Sequence, residues 1–104
     1  MSELWQVARL IRSKNAGPFE LTVDVICDTP GAFERVRRSG IMTQGTIAQL
    51  FGVAPADVRI FEHEAALALK ASIRRPHPSG DVEDTDMFGG QFHSPLVRAL
   101  VPEL

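Results

Sequence analysis

The sequence predicts an α+β fold in which helices cover one face of a largely antiparallel sheet. Two segments alternate apolar and polar residues as β-strands do. Between them lie two segments with helix-capping residues and then a short segment rich in β-branched residues. A strand, two helices and a pair of strands in this order are typical of a two-layer sandwich. At 104 residues, the chain is long enough for a single domain, residues 1–104, with its own core.

Three strands are predicted between residues 19 and 73. The inward face of the first, residues 19–27, is apolar and consists of Phe19, Leu21, Val23, Val25 and Cys27. The inward face of the second, residues 65–73, consists of Ala65, Leu67, Leu69, Ala71 and Ile73. The segment 58–62 is rich in β-branched residues and lies close to the strand that follows, so a hairpin is predicted there.

The other face of this sheet is predicted to be polar. It would carry Glu20, Thr22 and Asp24 from one strand and Lys70, Ser72 and Arg74 from another. If the two strands are neighbours, opposite charges face each other across the ladder. Such a face is either solvated or a docking surface for a partner, and residue types alone leave both interpretations open.

Two helices are predicted between the first strand and the hairpin, over residues 30–39 and 44–51. Both have a hydroxyl residue before the first turn and a glycine after the last turn, which are typical start and stop signals. These residues are Thr29, Pro30 and Gly40 for the first helix, and Thr43 and Gly52 for the second.

The two ends of the chain are less regular. Residues 4–11 fit both a helical and an alternating pattern, so periodicity does not decide between helix and strand. Residues 76–93, which are rich in proline, glycine and acids, are predicted to form an irregular arm. A short apolar patch, residues 95–101, follows that arm.

Composition excludes several classes of protein. With 11 basic and 13 acidic residues and a formal charge of −2, the chain has no electrostatic footprint for nucleic acid. No apolar run is long enough to span a membrane, and the acidic start differs from a signal peptide, so a cytoplasmic protein is expected. The single cysteine, Cys27, is expected in the core, and no Cys/His spacing predicts a metal site or a cofactor.

The segment before the first strand is the most distinctive candidate site. It combines two cations, a hydroxyl, an amide and a glycine in what is predicted to be one loop: Arg12, Ser13, Lys14, Asn15 and Gly17. Charged side chains and directed donors of this kind hold a carboxylate or phosphate. The alternative interpretation is an ordinary turn, in which Asn15 and Gly17 take positive φ.

The acidic arm supplies further candidates. Asp81, Asp84 and Asp86 are supporting candidates that lack the spacing of a calcium loop. We expect Asp81 or Asp84 to fold over and pair with Lys14 or Arg12. His93, after two glycines, is a candidate general acid or base, although no nucleophile lies beside it in the sequence. An ordinary surface histidine is the alternative for His93.

The string Arg-Ser-Lys-Asn-Ala-Gly-Pro-Phe-Glu-Leu-Thr, residues 12–22, resembles the short AtuA-related proteins, domain-of-unknown-function family 4387. Gly40 and the segments 57–62, 66–71 and 78–86 also fit that family. This family in turn resembles the ferredoxin-like C-terminal domain of the acyclic terpene utilisation protein A family. In that domain, a strand leads into a loop with the sequence Ser-Gly-Asp-Lys-Gly. Residues 13–17 occupy the equivalent place in this chain, and Asn15 and Ala16 differ from the pattern.

The resemblance implies a ferredoxin-like fold, a strand over residues 4–11, and a small subunit detached from a larger catabolic enzyme. The expected partner is an AtuA-like large subunit, and the expected substrate is an organic acid or its acyl-CoA thioester. The expected reaction is that of a hydratase, lyase or isomerase, with no catalysis by the small chain alone. The alternative is a stand-alone or homodimeric domain that binds a small carboxylate or acyl-CoA.

Overall fold

The computed structural model describes residues 2–15, 19–74, 85–87, 96 and 99–101. The helices in this part of the chain are α1 (Leu4–Val7), α2 (Pro30–Ser39) and α3 (Gln44–Phe51), with single 3₁₀ turns at Pro55–Asp57 and Glu64–Ala66. The strands are β1 (Ser2–Glu3), β2 (Leu10–Asn15), β3 (Glu20–Ile26), β4 (Val58–His63), β5 (Ala68–Arg74), β6 (Thr85–Met87) and β7 (Leu100–Val101).

Five of these strands form one antiparallel sheet in the order β4-β5-β3-β2-β6, and β1 pairs with β7 in a separate small ladder. The core lies between the helices and one face of the large sheet. It joins Phe33 and Val36 of α2 and Ile47 of α3 to the inward rows of β3 and β5. The α+β class with helices on one sheet face is therefore confirmed, and the two-layer arrangement is consistent with a ferredoxin-like sandwich.

Both predicted helices are confirmed with their boundaries. The Thr29 hydroxyl accepts a hydrogen bond from the Ala32 amide at 3.1 Å, and α2 ends at Gly40 with φ of 80°. The α3 helix begins after Thr43 in the same way and ends at Gly52, whose φ is 68°. Glycine takes these left-handed angles without the penalty that a Cβ imposes.

The opening segment, residues 4–11, contains both a helix and the beginning of a strand. Leu4–Val7 is a helix, whose first turn is closed by reciprocal bonds between Glu3 and Gln6, and β2 begins only at Leu10. The expectation of a strand over all of residues 4–11 is therefore wrong. Leu4 is fully buried, so its helical turn brings an apolar side chain into the core.

Three boundaries differ from the expected pattern. Phe19 lies before β3 and is 47% exposed, so it does not continue the apolar face of that strand. Ala65 and Leu67 do not belong to β5, because the chain reverses through the 3₁₀ turn Glu64–Ala66 and through Leu67 at φ of 52°. Within the arm, Thr85–Met87 is a strand, so an irregular structure is the wrong expectation for these three residues. The rest of residues 76–93 lies outside the described residues.

Candidate functional site

The candidate residues Arg12 to Asn15 lie in a strand. All four belong to β2, so the expectation of a single loop is wrong for them, and Gly17 lies outside the described residues. Side chains alternate along a strand, which places Arg12 and Lys14 on one face of the sheet and Ser13 on the other. The two cations and the Ser13 hydroxyl therefore cannot contact the same ligand.

The supporting candidates are only partly placed. The backbone register of β2 and β6 sets Asp86 opposite Arg12, which brings this part of the acidic arm to the strand that carries the cations. Asp81, Asp84 and His93 lie outside the described residues.

The sheet face that carries Arg12 and Lys14 is turned away from the helices. Residues that lie opposite each other in the strand pairing share this face. One such row runs through Arg12, Asp24 and Lys70, and the next runs through Lys14, Thr22, Ser72 and Arg59. We call this surface the polar face and define it by Arg12, Lys14, Glu20, Thr22, Asp24, Arg59, Lys70, Ser72 and Arg74. No helix of the described chain packs against it, because the helices share their core with the opposite face.

The polar face has an excess of positive charge although the whole chain carries a formal charge of −2. Its cations are Arg12, Lys14, Arg59, Lys70 and Arg74. Its acidic positions among the described residues are Glu20, Asp24 and, by the register of β6, Asp86. The fold therefore gathers cations on one surface of an acidic chain, a charge separation that attracts anionic groups.

The cross-strand charges are neighbours, as the sequence predicts, but they do not pair. Asp24 lies opposite Lys70 and Glu20 opposite Arg74 in the register. Among the described residues neither pair forms an ion pair, and a Glu20 oxygen instead accepts a hydrogen bond from the Ser72 hydroxyl at 2.6 Å. The described residues thus provide no ion-pair partner for Lys70 or Arg74.

Ser13 has a different environment. It lies on the core face of β2, opposite Val23, and is 3% exposed. Its hydroxyl oxygen has no hydrogen-bond partner among the described residues, which is rare for a buried polar atom.

We expect Ser13→Ala to stabilise the isolated chain by about 1 kcal/mol, because it removes a buried hydroxyl that has lost its hydration and gained no partner among the described residues. Urea denaturation monitored by circular dichroism measures this change. Thr22→Ala is a control on the same hairpin, because the Thr22 hydroxyl does donate a bond, to the Lys14 carbonyl. Destabilisation by Ser13→Ala would contradict the assignment of an unsatisfied hydroxyl.

Cys27 is excluded as a nucleophile by its surroundings. It is 4% exposed, and burial raises the pKa of its thiol from the ordinary value of 9.0 to about 11, with the Asp28 charge adding to the shift. The thiolate is the reactive form, so a raised pKa and a closed environment both suppress reaction.

We expect iodoacetamide to leave Cys27 unmodified in the folded protein at pH 8 and to alkylate it once urea unfolds the chain. Mass spectrometry of timed samples detects the adduct. Since the folded state holds the thiol proton more tightly, its stabilising contribution is complete below pH 9 and is lost as the pH rises towards 11. Rapid alkylation of the folded protein would contradict this account.

Sequence reasoning missed one cation of the polar face. Arg59 reaches it because β4 pairs with β5 and sets Arg59 opposite Ser72. The sequence shows that Arg59 lies on the opposite strand face from its apolar neighbours Val58 and Ile60. The order of the strands is needed to place Arg59 on the same sheet face as Lys14. Within the described residues, no group of three His, Cys, Asp or Glu side chains is arranged to hold a metal ion.

Comparison with known proteins supplies a family. The model of the family described as a domain of unknown function, DUF4387, matches residues 4–100. No curated protein and no solved structure matches the chain. In the part of the chain that the structure describes, no helix is both long enough and apolar enough to cross a membrane. The match spans nearly the whole sequence, and the chain therefore belongs to the DUF4387 family.

Proposed function

We propose that this chain is a cytoplasmic accessory subunit that docks through its polar face on an AtuA-like large subunit. The assembly acts on an organic acid or its acyl-CoA thioester, as a hydratase, lyase or isomerase. The observation that supports the proposal is the polar face itself. Lys14 and Lys70 lie there without an ion-pair partner among the described residues, on a surface that no described helix covers.

The cations of the polar face suit both a protein partner and an anionic substrate. Arg12 and Lys14 are two residues apart on one strand, so their Cα atoms are about 7 Å apart. Lys70 of β5 lies in the same row as Arg12, with Asp24 of β3 between them. A cationic surface that is closed off from water by a partner acts more strongly on a carboxylate or thioester oxygen than the same surface in bulk solvent.

Co-expression with a tagged AtuA-like large protein from the same genome tests the proposal. We expect the two chains to elute together at a fixed ratio, and we expect turnover of an acyl-CoA or organic-acid substrate only when both are present. A matched preparation without the large chain provides the control. If the small chain stays monodisperse and separate beside a folded large protein, the proposal fails.

A second candidate function is a stand-alone domain that binds a small carboxylate or acyl-CoA. It is favoured by the exposure of Lys14, which lies on the same face as Arg12 and has no ion pair among the described residues. A ligand at a hundred times its dissociation constant would stabilise the chain by about 2.7 kcal/mol. Thermal-shift measurements with acetate, succinate and acetyl-CoA detect such a gain, and Lys14→Ala should abolish it.

A further inference from the structure

In the part of the chain that the structure describes, β4 is an edge strand of the large sheet. It pairs with β5 on one side, and no described strand pairs with it on the other. Its six residues, Val58–His63, contain neither proline nor glycine. Native edges of this kind are usually shortened, bulged or covered, because their free backbone groups accept another strand.

One hydrogen bond shows which backbone groups face outward. The Gln44 side-chain amide donates to the Val58 carbonyl at 3.1 Å, from the side of β4 that is opposite β5. Backbone groups alternate in direction along a strand, so the N–H and C=O groups of Ile60 and Glu62 also point to the open side. No described residue bonds to either of them there.

Space for another strand exists at this edge. An open groove of about 610 Å³ lies between the connection that joins α2 to α3 and β4. It is lined by Met42, Thr43, Gln44, Val58, Arg59, Ile60 and Phe61. Phe61 is 43% exposed, which is unusual for an aromatic ring in the middle of a strand.

We propose that a second copy of this chain pairs with this edge, β4 antiparallel to β4, about a two-fold axis perpendicular to the sheet. One register pairs the outward N–H and C=O groups of Ile60 and Glu62. In it, Ile60 of each copy forms two backbone hydrogen bonds with Glu62 of the other copy. The residue between them, Phe61, then lies on the axis opposite Phe61 of the second copy. Val58 keeps its bond from Gln44.

Self-complementarity favours a second copy as the occupant. Ile60 and Glu62 are spaced so that an identical antiparallel strand satisfies both of them at once. The same register brings two exposed Phe61 rings together in a non-hydrogen-bonded pair, where side chains are closest, and aromatic pairs across strands are stabilising. The axis also keeps both polar faces on one side of the continuous sheet. The Phe61 pair lies on that side next to Lys70, at the border of the polar face, and does not cover its other cations.

Light scattering after gel filtration of the isolated chain tests the dimer. We expect a mass twice the 11.4 kDa of the chain at concentrations of tens of micromolar or higher. Phe61→Glu places two carboxylates face to face on the axis and should give a monomer. Phe19→Glu introduces the same charge at another exposed phenylalanine away from β4 and should remain dimeric. Circular dichroism checks that both variants are folded.

A cysteine cross-link tests the register. Residues directly opposite in a non-hydrogen-bonded antiparallel pair have Cα atoms about 4.5 Å apart, within the range of a disulfide. Phe61→Cys should therefore form a covalent dimer on mild oxidation, while Phe19→Cys should not, and buried Cys27 should not react. A monomeric wild-type chain, or a dimer that Phe61→Cys does not trap, would overturn the inference. Because only this chain is used, the result is independent of whether the large subunit binds.

Discussion

Ile73→Ala is expected to lower the free energy of unfolding by about 2–5 kcal/mol, because it leaves a cavity in the centre of the core. Ile73 is fully buried on β5, between Leu21 of β3 and Val58 of β4 in the register. Single domains are stable by only about 5–15 kcal/mol, so this change alone threatens the fold. Urea denaturation measures the loss.

Ser72→Ala is the matched control for that substitution. It is the neighbouring residue on the same strand, but its side chain lies on the polar face, where its hydroxyl donates a hydrogen bond to Glu20. Its loss should cost less than about 1 kcal/mol, in line with a single exposed hydrogen bond. An equal loss in the free energy of unfolding for Ile73→Ala and Ser72→Ala would contradict the assignment of one face of β5 to the core and the other to the polar face.

The double variant Arg59→Glu, Lys70→Glu is expected to weaken binding to the AtuA-like large subunit by about 100-fold, which corresponds to about 2.7 kcal/mol. It reverses two charges of the polar face without touching the core, because Arg59 is exposed and Lys70 is half-buried. Reversal replaces attraction by repulsion against an acidic docking surface. A binding titration with the folded variant measures the change.

Its control is the double variant Arg37→Glu, Arg38→Glu. Both residues lie at the end of α2, in the helical layer, where they pair with Glu34 on the surface. The net charge of the chain changes by the same amount, so a difference between the two variants reports the position of the charge. If both lose binding equally, long-range attraction rather than the polar face explains the affinity.

The predictable parts of this fold are those set by local chemistry. The hydroxyl caps and glycine stops of α2 and α3 satisfy backbone groups within a few residues, so their boundaries are read from the sequence. The alternation in β3 likewise identifies its core row, Leu21, Val23 and Val25, although Thr22 on the other face is buried as well. These features need no knowledge of distant contacts.

The parts that could not be predicted depend on distant contacts. Lys14 and Ser13 are read as one loop from residue types, but the pairing of β2 with both β3 and β6 makes the segment a strand and separates their side chains. The turn before β5 uses residues that continue an apolar alternation, because the hairpin needs a reversal at Leu67. Sequence periodicity carries no information on either point.

The proposed function depends on docking of the polar face on an AtuA-like large subunit. Calorimetric titration of the chain into that protein measures this docking. We predict saturable binding with a dissociation constant in the micromolar range or tighter, weakening as salt is raised because exposed charges contribute to it. No heat of binding at tens of micromolar, with both proteins folded, would contradict the claim.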